Sequence, residues 1–362
     1  MRKVLLFCPF LLIFFVSSVK AFETNATSAI LMDIDSQRII YGKDIHNKRS
    51  VASISKIMTA ILAIESGKLN DTIIIGEEIN AAYGSGIYIK VGEEIKLIDL
   101  VYGLMLRSGN DAALAIANYV GGSVENFVSM MNKKSDSLGM KNSEFNNPSG
   151  LDEEKGNYST AYDMALLTSY AMKNEIYKTI VSTKNYKIKT NMNYYDWTNK
   201  NKLLHSYRYS TGGKTGYTDI AKRTLVTTAS NKGLNLVAVT LNDGNDFADH
   251  KNLFEEAFET FTNYEILQEG FIIIPGENYY KNSQFYLREA FTYPFDVTEN
   301  NSIIVKYQLN KLRTYEDGDI VGNAVVFINE KRITSLPIYL SRTQEEGVGT
   351  LKKLLLWFKS IW

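Results

Sequence analysis

The alternation of apolar and polar residues predicts a long mixed region followed by a shorter β-rich region. Two short strands are predicted around a polar turn at 33–37, and a broad apolar face predicts a helix over 53–66, which Gly67 ends. Further helices are predicted at 97–106, 111–120, 124–138, 160–172 and 252–261, and extended segments at 185–193, 225–230 and 234–241. This mixture favours an α+β domain over residues 22–264.

The region after residue 264 has a different pattern, in which short β-prone runs alternate with Gly, Asn and Asp turns. The runs are at 271–274, 285–290, 302–309, 323–328 and 335–340. We therefore expect a small all-β domain over residues 265–345, without chemistry of its own.

Residues 346–362 form a third pattern, that of a C-terminal amphipathic helix. Its predicted apolar face carries Leu351, Leu354, Leu355, Phe358, Ile361 and Trp362. Lysines lie beside and opposite this face, as in helices that rest in a membrane interface. The prediction is peripheral association with a membrane surface, with a helix packed on the protein as the alternative.

The N-terminal segment 1–21 has the pattern of a signal peptide. Arg2 and Lys3 precede an apolar run, and Val19 and Ala21 supply small residues for cleavage. The run is shorter than the ~20 residues of a spanning helix, which disfavours the alternative of a membrane anchor. We expect an exported protein.

Composition narrows the chemistry. The chain has 362 residues, 45% hydrophobic, with 40 basic and 40 acidic side chains. This balance, without a basic stripe between the termini, argues against nucleic acid as a partner. Cys8 is the only cysteine and lies in the predicted signal peptide, so cysteine nucleophiles, disulfides and thiolate metal sites are not expected. The three histidines, His46, His205 and His250, are expected on the surface.

Ser53 and Lys56 are the first candidate pair. Residues three apart share a helix face, so the Lys56 amine can reach the Ser53 hydroxyl. A serine becomes a nucleophile when a base takes its proton, and a lysine serves once its pKa is lowered. Taken alone, the pair is better explained by an ordinary helix start with Ser53 as its N-cap.

Two further motifs follow along the chain. Ser108 and Asn110 flank a glycine between two helices, where they can face a cleft or simply cap the helices. Residues 212–216, Gly-Gly-Lys-Thr-Gly, combine close backbone approach with a fixed charge. A phosphate-binding P-loop is excluded, because Arg208 stands where its first glycine is required.

The order of these motifs resembles the Ser-x-x-Lys, Ser-x-Asn and Lys-Thr-Gly set of the penicillin-recognising serine enzymes. Their surroundings, together with Asn147-Pro148-Ser149-Gly150-Leu151 and Tyr158-Ser159-Thr160-Ala161, are similar to the low-molecular-mass D-alanyl-D-alanine carboxypeptidases of the S11 family. The resemblance covers residues 25–265. It implies a DD-peptidase/β-lactamase-like fold, with an antiparallel sheet flanked by helices, and an enzyme that needs no metal or organic cofactor. It also implies a location at the outer face of the bacterial cytoplasmic membrane or in the cell wall.

The resemblance also implies the catalytic residues. Ser53 attacks the carbonyl of the penultimate D-alanine in a peptidoglycan stem peptide and becomes acylated. Lys56 is the base, Ser108 relays a proton to the leaving amine, and Asn110 holds the substrate amide and Lys56. β-Lactams would acylate the same serine.

The strand Lys214-Thr215-Gly216 is implied to bind the terminal carboxylate. Lys214 is further implied to depress the pKa of Lys56. The backbone N–H groups of Ser53 and Tyr217 would form the oxyanion hole, which is a large electrostatic contribution in acyl transfer.

Some residues depart from the family pattern and suggest a subgroup, and two alternative functions are considered. Val51 and Asn157 replace a usual Pro and His and are expected to be structural, while residues 221–224 with Asp249-His250 are similar to a sporulation-associated branch. A class A-like β-lactamase would need a deacylating glutamate, and the nearest candidate, Glu175, lacks the surrounding motif. A catalytically idle penicillin- or peptidoglycan-binding protein would have lost a motif residue, and none is lost.

Overall fold

A computed structural model describes residues 22–152, 155–280, 283–296, 298–299 and 301–342. The predicted signal peptide and the predicted helix over 346–362 lie outside these residues. The part of the chain described contains no helix long and apolar enough to cross a bilayer.

The N-terminal two thirds of the chain contain strands β1 to β11 and helices α1 to α8. The strands are β1 (Ser28–Asp33), β2 (Ile39–Lys43), β3 (Arg49–Ser50), β4 (Thr72–Ile74), β5 (Glu94–Lys96), β6 (Tyr158–Ser159), β7 (Asn185–Lys189), β8 (Tyr194–Thr198), β9 (Ser210–Thr218), β10 (Lys222–Asn231) and β11 (Leu234–Leu241). The helices are α1 (Lys56–Glu65), α2 (Leu97–Arg107), α3 (Asn110–Gly121), α4 (Val124–Ser137), α5 (Ala161–Ala171), α6 (Glu175–Ser182), α7 (Leu203–Ser206) and α8 (Asp246–Thr260).

The central sheet has five antiparallel strands in the order β2-β1-β11-β10-β9. Both of its faces are covered, which explains why β1 and β11 are almost continuously apolar. Leu31, Leu236 and Ala238 point toward α8, whereas Ile30, Val237 and others point toward the larger helical layer. Strand β9, which carries the Lys-Thr-Gly motif, lies at the edge of this sheet.

Helix α1 lies in the centre of the helical layer. All of its residues from Lys56 to Ile64 are buried, so its broad apolar face reflects a core helix rather than an amphipathic surface helix. Burial of one lysine among these residues has to be compensated by hydrogen bonds, and that requirement shapes the site described below.

The C-terminal third is the β-rich unit. It contains β12 (Phe261–Leu267), β13 (Gly270–Ile272), β14 (Ser283–Leu287), β15 (Phe291–Asp296), β16 (Ile303–Leu309), β17 (Ile320–Ile328) and β18 (Lys331–Arg342). A five-stranded sheet, β13-β14-β18-β17-β16, packs its inner face on the two-stranded sheet β12-β15. Phe285, Leu287, Ile338 and Leu340 belong to this second apolar cluster.

Arg38 joins the two units. Its guanidinium lies 5.1 Å from the ring centre of Phe261 and 5.2 Å from that of Tyr293. It also pairs with the carboxylate of Glu299 and donates to the carbonyl of Pro294. The side chain is only 16% exposed, so these contacts form in a partly desolvated site.

The α+β prediction is confirmed, and most predicted elements are present with shifted ends. The helix predicted at 252–261 begins at Asp246 instead, with Asp246 and Asp249 in its first turn. Sequence reasoning missed α6 and β8, because these elements have only 8 and 5 residues, and the extended segment predicted at 185–193 contains β7 and the turn after it. The surface prediction was wrong for His250, which is fully buried between the hydroxyls of Thr227 and Thr240.

We expect Arg38→Ala to lower the free energy of unfolding by about 1–2 kcal/mol, because it removes a shielded cation–π and ion-pair contact. Chemical denaturation followed by fluorescence measures this loss. Arg332→Ala, at an exposed arginine of β18, is the matched control. An unchanged denaturation midpoint for Arg38→Ala would show that this junction contributes nothing to stability.

Candidate active site

Ser53 lies in a 3₁₀ turn, Ala52–Ser55, that leads directly into α1. In a 3₁₀ turn residues three apart are eclipsed, so Lys56 lies directly over Ser53. The Lys56 Nζ atom is 3.1 Å from the Ser53 Oγ atom. Ala52 has a positive φ of 49°, a strained conformation that marks the abrupt entry of the chain into this turn.

Lys56 is fully buried and has two further partners. Its Nζ atom lies 2.7 Å from the Asn110 Oδ1 atom and donates to the backbone carbonyl of Ser149. A neutral amine has two hydrogens and one lone pair. With both hydrogens on these oxygens, the lone pair faces the Ser53 hydroxyl, which is the arrangement of a general base.

Burial lowers the pKa of Lys56 to about 7. The positive charge of Lys200 lowers this pKa further, and the carboxylate of Asp111 opposes the shift. A substantial fraction of Lys56 is therefore uncharged near neutral pH, as a base for Ser53 must be.

The loop that carries the Ser149 carbonyl is held by two asparagines. Asn147 Oδ1 accepts from the backbone N–H groups of Ser149 and Gly150, and Asn157 Nδ2 donates to the Asn147 carbonyl at 2.8 Å. Gly150 has φ +76°, and a Cβ atom there would lie 2.0 Å from the Ala52 carbonyl oxygen. Sequence reasoning quoted this segment only for its resemblance and missed that its backbone contacts the base.

Ser108 follows α2 in the left-handed region, with φ 64°, and Asn110 begins α3. This sharp turn directs both side chains toward the cleft side of the sheet. Lys214 Nζ donates to Ser108 Oγ at 3.0 Å and to the Thr215 carbonyl at 2.7 Å. Asn110 therefore contacts the first lysine and Ser108 the second, which links the three motifs.

Lys214 is buried, and its pKa lies well below the ordinary lysine value because of this burial and the nearby charge of Lys56. An anionic group that binds beside it would offset both effects. The site therefore suits a carboxylate, whose negative charge would favour protonation of Lys214.

Strand β9 passes close to the nucleophile. A Cβ atom at Gly216 would lie 3.0 Å from the backbone nitrogen of Ser53 and 2.4 Å from the Thr224 hydroxyl. Only glycine therefore allows the strand this approach. Tyr217 comes next and its side chain is 60% exposed.

The cleft at this point has a volume of about 350 Å³. It is lined by Ser53, Ser85, Ser108, Lys200, Lys202, Thr215, Gly216, Tyr217, Arg223, Asp246 and Phe247. A larger cavity of about 530 Å³ lies at the other end of β9, but none of the motif residues Ser53, Lys56, Ser108, Asn110 and Lys214 lines it. The smaller cleft is therefore the candidate active site.

Several cleft residues were missed from sequence. Lys200 lies 3.3 Å from the Ser85 hydroxyl, and Arg223 forms a two-point ion pair with Asp246. The alternating basic pattern Asn199-Lys200-Asn201-Lys202 just before the glycine-rich strand was the available signal. Together these groups make the cleft electropositive, as suits a carboxylate substrate.

No group of three or more His, Cys, Asp or Glu side chains that could hold a metal ion occurs within the residues that the structure describes. Asp246, the acidic side chain in the cleft lining, is engaged by Arg223. Glu175, the nearest match to a deacylating glutamate, lies at the start of α6, pairs with Lys178 and does not line the cleft.

A serine hydroxyl in contact with a buried amine, beside a cleft lined by basic side chains, is the arrangement of a serine acyl-enzyme hydrolase. The D-alanyl-D-alanine carboxypeptidase model of the S11 peptidase family matches residues 15–245. The chain belongs to this family.

Individual relatives agree with this assignment. The carboxypeptidase DacF of Bacillus subtilis (strain 168) is 37% identical over 221 residues, which cover 59% of this chain and 57% of DacF. DacA of Haemophilus influenzae is 28% identical over 357 residues, 92% of this chain and 89% of DacA. The crystal structure of penicillin binding protein 5 from the same species superposes with a TM-score of 0.73 at 25% identity, over 90% of this chain and 98% of that one. The crystal structure of the carboxypeptidase DacD from Francisella tularensis superposes with a TM-score of 0.66 at 26% identity, over 90% of this chain and 96% of that one.

The pKa of Lys56 leads to a prediction on pH dependence. Below about pH 7 the ammonium form has no lone pair for the Ser53 proton, so acylation by labelled penicillin should rise with pH through about 7. Lys200→Met removes a positive charge, raises the pKa of Lys56 and moves this limb to higher pH. Stopped-flow acylation rates across the pH range measure both effects. Lys178→Met on α6 is the control. If the acylation rate rises over the same pH range in the unaltered protein, in Lys200→Met and in Lys178→Met, the assignment of this pH dependence to Lys56 is contradicted.

Proposed function

We propose that this chain removes the terminal D-alanine from peptidoglycan stem pentapeptides as a serine-type D-Ala-D-Ala carboxypeptidase. The contact between Lys56 Nζ and Ser53 Oγ, with both amine hydrogens used elsewhere, is the observation that carries the proposal. Membership of the carboxypeptidase family supports the choice of substrate.

The first half of the reaction forms the acyl-enzyme. Ser53 Oγ bonds to the carbonyl carbon of the penultimate D-alanine while its proton passes to Lys56 Nζ. The carbonyl oxygen becomes an oxyanion, which the backbone N–H groups of Ser53 and Tyr217 stabilise. The C–N bond then breaks, and Ser108 relays a proton to the departing D-alanine amine.

Substrate orientation comes from the other two motifs. The terminal carboxylate binds Lys214, with the Thr215 hydroxyl beside it on β9. Asn110 holds the substrate amide and also keeps Lys56 in place. Water finally adds to the ester carbonyl and regenerates Ser53 with release of the shortened peptide.

β-Lactams are expected to acylate Ser53 through the same steps. The β-lactamase alternative is not favoured, because the family match is to carboxypeptidases and Glu175 pairs with Lys178 and does not line the cleft. An idle binding protein is disfavoured by the intact contacts of Ser53, Lys56 and Lys214.

The setting of the reaction is the second part of the proposal. Family members act on peptidoglycan outside the cytoplasm, and the predicted signal peptide 1–21 supports export of this chain. A catalytic domain at 22–264, a β domain at 265–345 and membrane-surface association through the amphipathic segment 346–362 complete it. A role in sporulation stays a prediction from residues 221–224 and Asp249-His250.

Ser53→Ala tests the mechanism. The variant loses the nucleophile without loss of volume in the core, so D-alanine release from a peptide ending in Lys-D-Ala-D-Ala should fall by at least ~1,000-fold. Free D-alanine is measured by a coupled oxidase assay. The penicillin adduct, detected as an intact-mass increase, should disappear in the same variant. Undiminished release of D-alanine by a folded Ser53→Ala protein would contradict the proposed mechanism.

A further inference from the structure

Two strongly exposed apolar side chains stand on the edge strand of the β-rich unit. Phe271 on β13 is 70% exposed and Ile273, just after it, is 88% exposed. The alternate residues Ile272 and Ile274 pack against the core of this unit. Because side chains alternate along an extended segment, Phe271 and Ile273 both point away from that core. We call this pair the apolar edge.

The apolar edge continues into a row of aromatic side chains. Phe271 pairs with Tyr286 across β13 and β14, and Tyr286 pairs with Tyr339 across β14 and β18. The ring centres are 6.2 Å and 5.5 Å apart, and the Arg288 guanidinium lies 3.9 Å from the Tyr339 ring centre. Exposed apolar groups continuous with tyrosines and an arginine are typical of surfaces that meet a membrane interface.

The register of the sheet places this edge beside the end of β18. Gln284 pairs with Ser341 and Ser283 with Arg342, so Ile273 is level with the last residues of β18. The chain continues from Arg342 at that end of the sheet. The two intervening strand spacings amount to roughly 10 Å.

The predicted membrane helix begins a few residues after β18. With the helix at 346–362, the linker 343–345 can span at most roughly 10 Å when extended. A helix over 346–362 lying in a membrane surface would therefore hold the end of β18, and the apolar edge with it, close to the same surface. Because the apolar edge would lie near the membrane surface, we infer that lipid covers it.

We propose that Phe271 and Ile273 insert into the lipid interface as a second membrane contact of this protein. The inference rests on the membrane association given under Proposed function. Two membrane contacts instead of one restrict rotation of the β-rich unit about the linker and so fix its orientation at the membrane. The catalytic region, which Arg38 connects to the β-rich unit, is oriented with it.

An environment-sensitive label reports insertion directly. The exported form, residues 22–362, lacks cysteine because Cys8 is the only one in the chain, so a single introduced cysteine is labelled uniquely. NBD on Phe271→Cys should brighten and shift to the blue with vesicles of equal parts phosphatidylglycerol and phosphatidylethanolamine. Ile74→Cys, at a 72% exposed residue of β4, should not respond.

Vesicle flotation measures the contribution to binding. Phe271→Ser with Ile273→Ser should weaken partition to the same vesicles roughly 10- to 100-fold, because two apolar side chains leave the lipid interface. Ile74→Ser is the matched control. Both proteins should hydrolyse a soluble D-Ala-D-Ala peptide at the unaltered rate, which also shows that they fold.

The outcomes separate the two levels of the proposal. Absence of vesicle binding by the unaltered protein overturns membrane association itself. Binding that the double substitution leaves unaltered, with a silent label at 271, overturns only the second contact. A label at 271 that is already blue-shifted without vesicles also overturns the second contact, because something other than lipid then covers the apolar edge. If the shift is lost in a chain ending at Arg342, the C-terminal segment covers the edge. If the shift depends on protein concentration, a second copy of the chain covers it.

Discussion

The site depends on the burial of one amine. Lys56 lies inside a helix whose other residues form the hydrophobic core, and its Nζ atom has three neighbours from three separate parts of the chain. Burial disfavours the ammonium form, and the two oxygens on Asn110 and Ser149 take up the amine hydrogens. The remaining lone pair faces Ser53. An unpaired ammonium group would destabilise this core, whereas the neutral Lys56 amine has a pKa suited to taking the Ser53 proton.

Each neighbour is itself held by the fold. The Ser149 carbonyl is presented by an asparagine-braced loop, Asn110 by the left-handed turn at Ser108, and the second lysine by an edge strand that packs against the nucleophile through Gly216. The charge of Lys56 lowers the pKa of Lys214, and the charge of Lys200 lowers the pKa of both lysines. An incoming carboxylate offsets this repulsion by favouring the charged form of Lys214, and Lys200 affects the pH response through the pKa of Lys56.

Sequence pattern gave most of the elements and missed those whose environment is set by distant contacts. Of the eight residues predicted for the site, five line one cleft, and the buried side chains of Lys56, Asn110 and Lys214 lie directly behind it. The Ser149 carbonyl was missed because a backbone atom carries no signature in the sequence, and Lys200 was missed because the basic pattern at 199–202 was overlooked. His250 was expected on the surface but is buried, because Thr227 and Thr240 on neighbouring strands satisfy both ring nitrogens. Helix α6 was missed because only tertiary packing on β9 compensates its short length.

By itself the sequence determined that Ser53 and Lys56 are neighbours, because their spacing is local and a turn or helix brings such residues together whatever surrounds them. The order of the three motifs, read as a resemblance, determined the reaction class and the carboxypeptidase family. Only the tertiary structure decided the protonation chemistry, because the pKa of Lys56 depends on burial and on charges from residues far along the chain. It also decided which exposed side chains share a surface, since strand register, not sequence spacing, aligns Phe271 with Tyr286 and Tyr339.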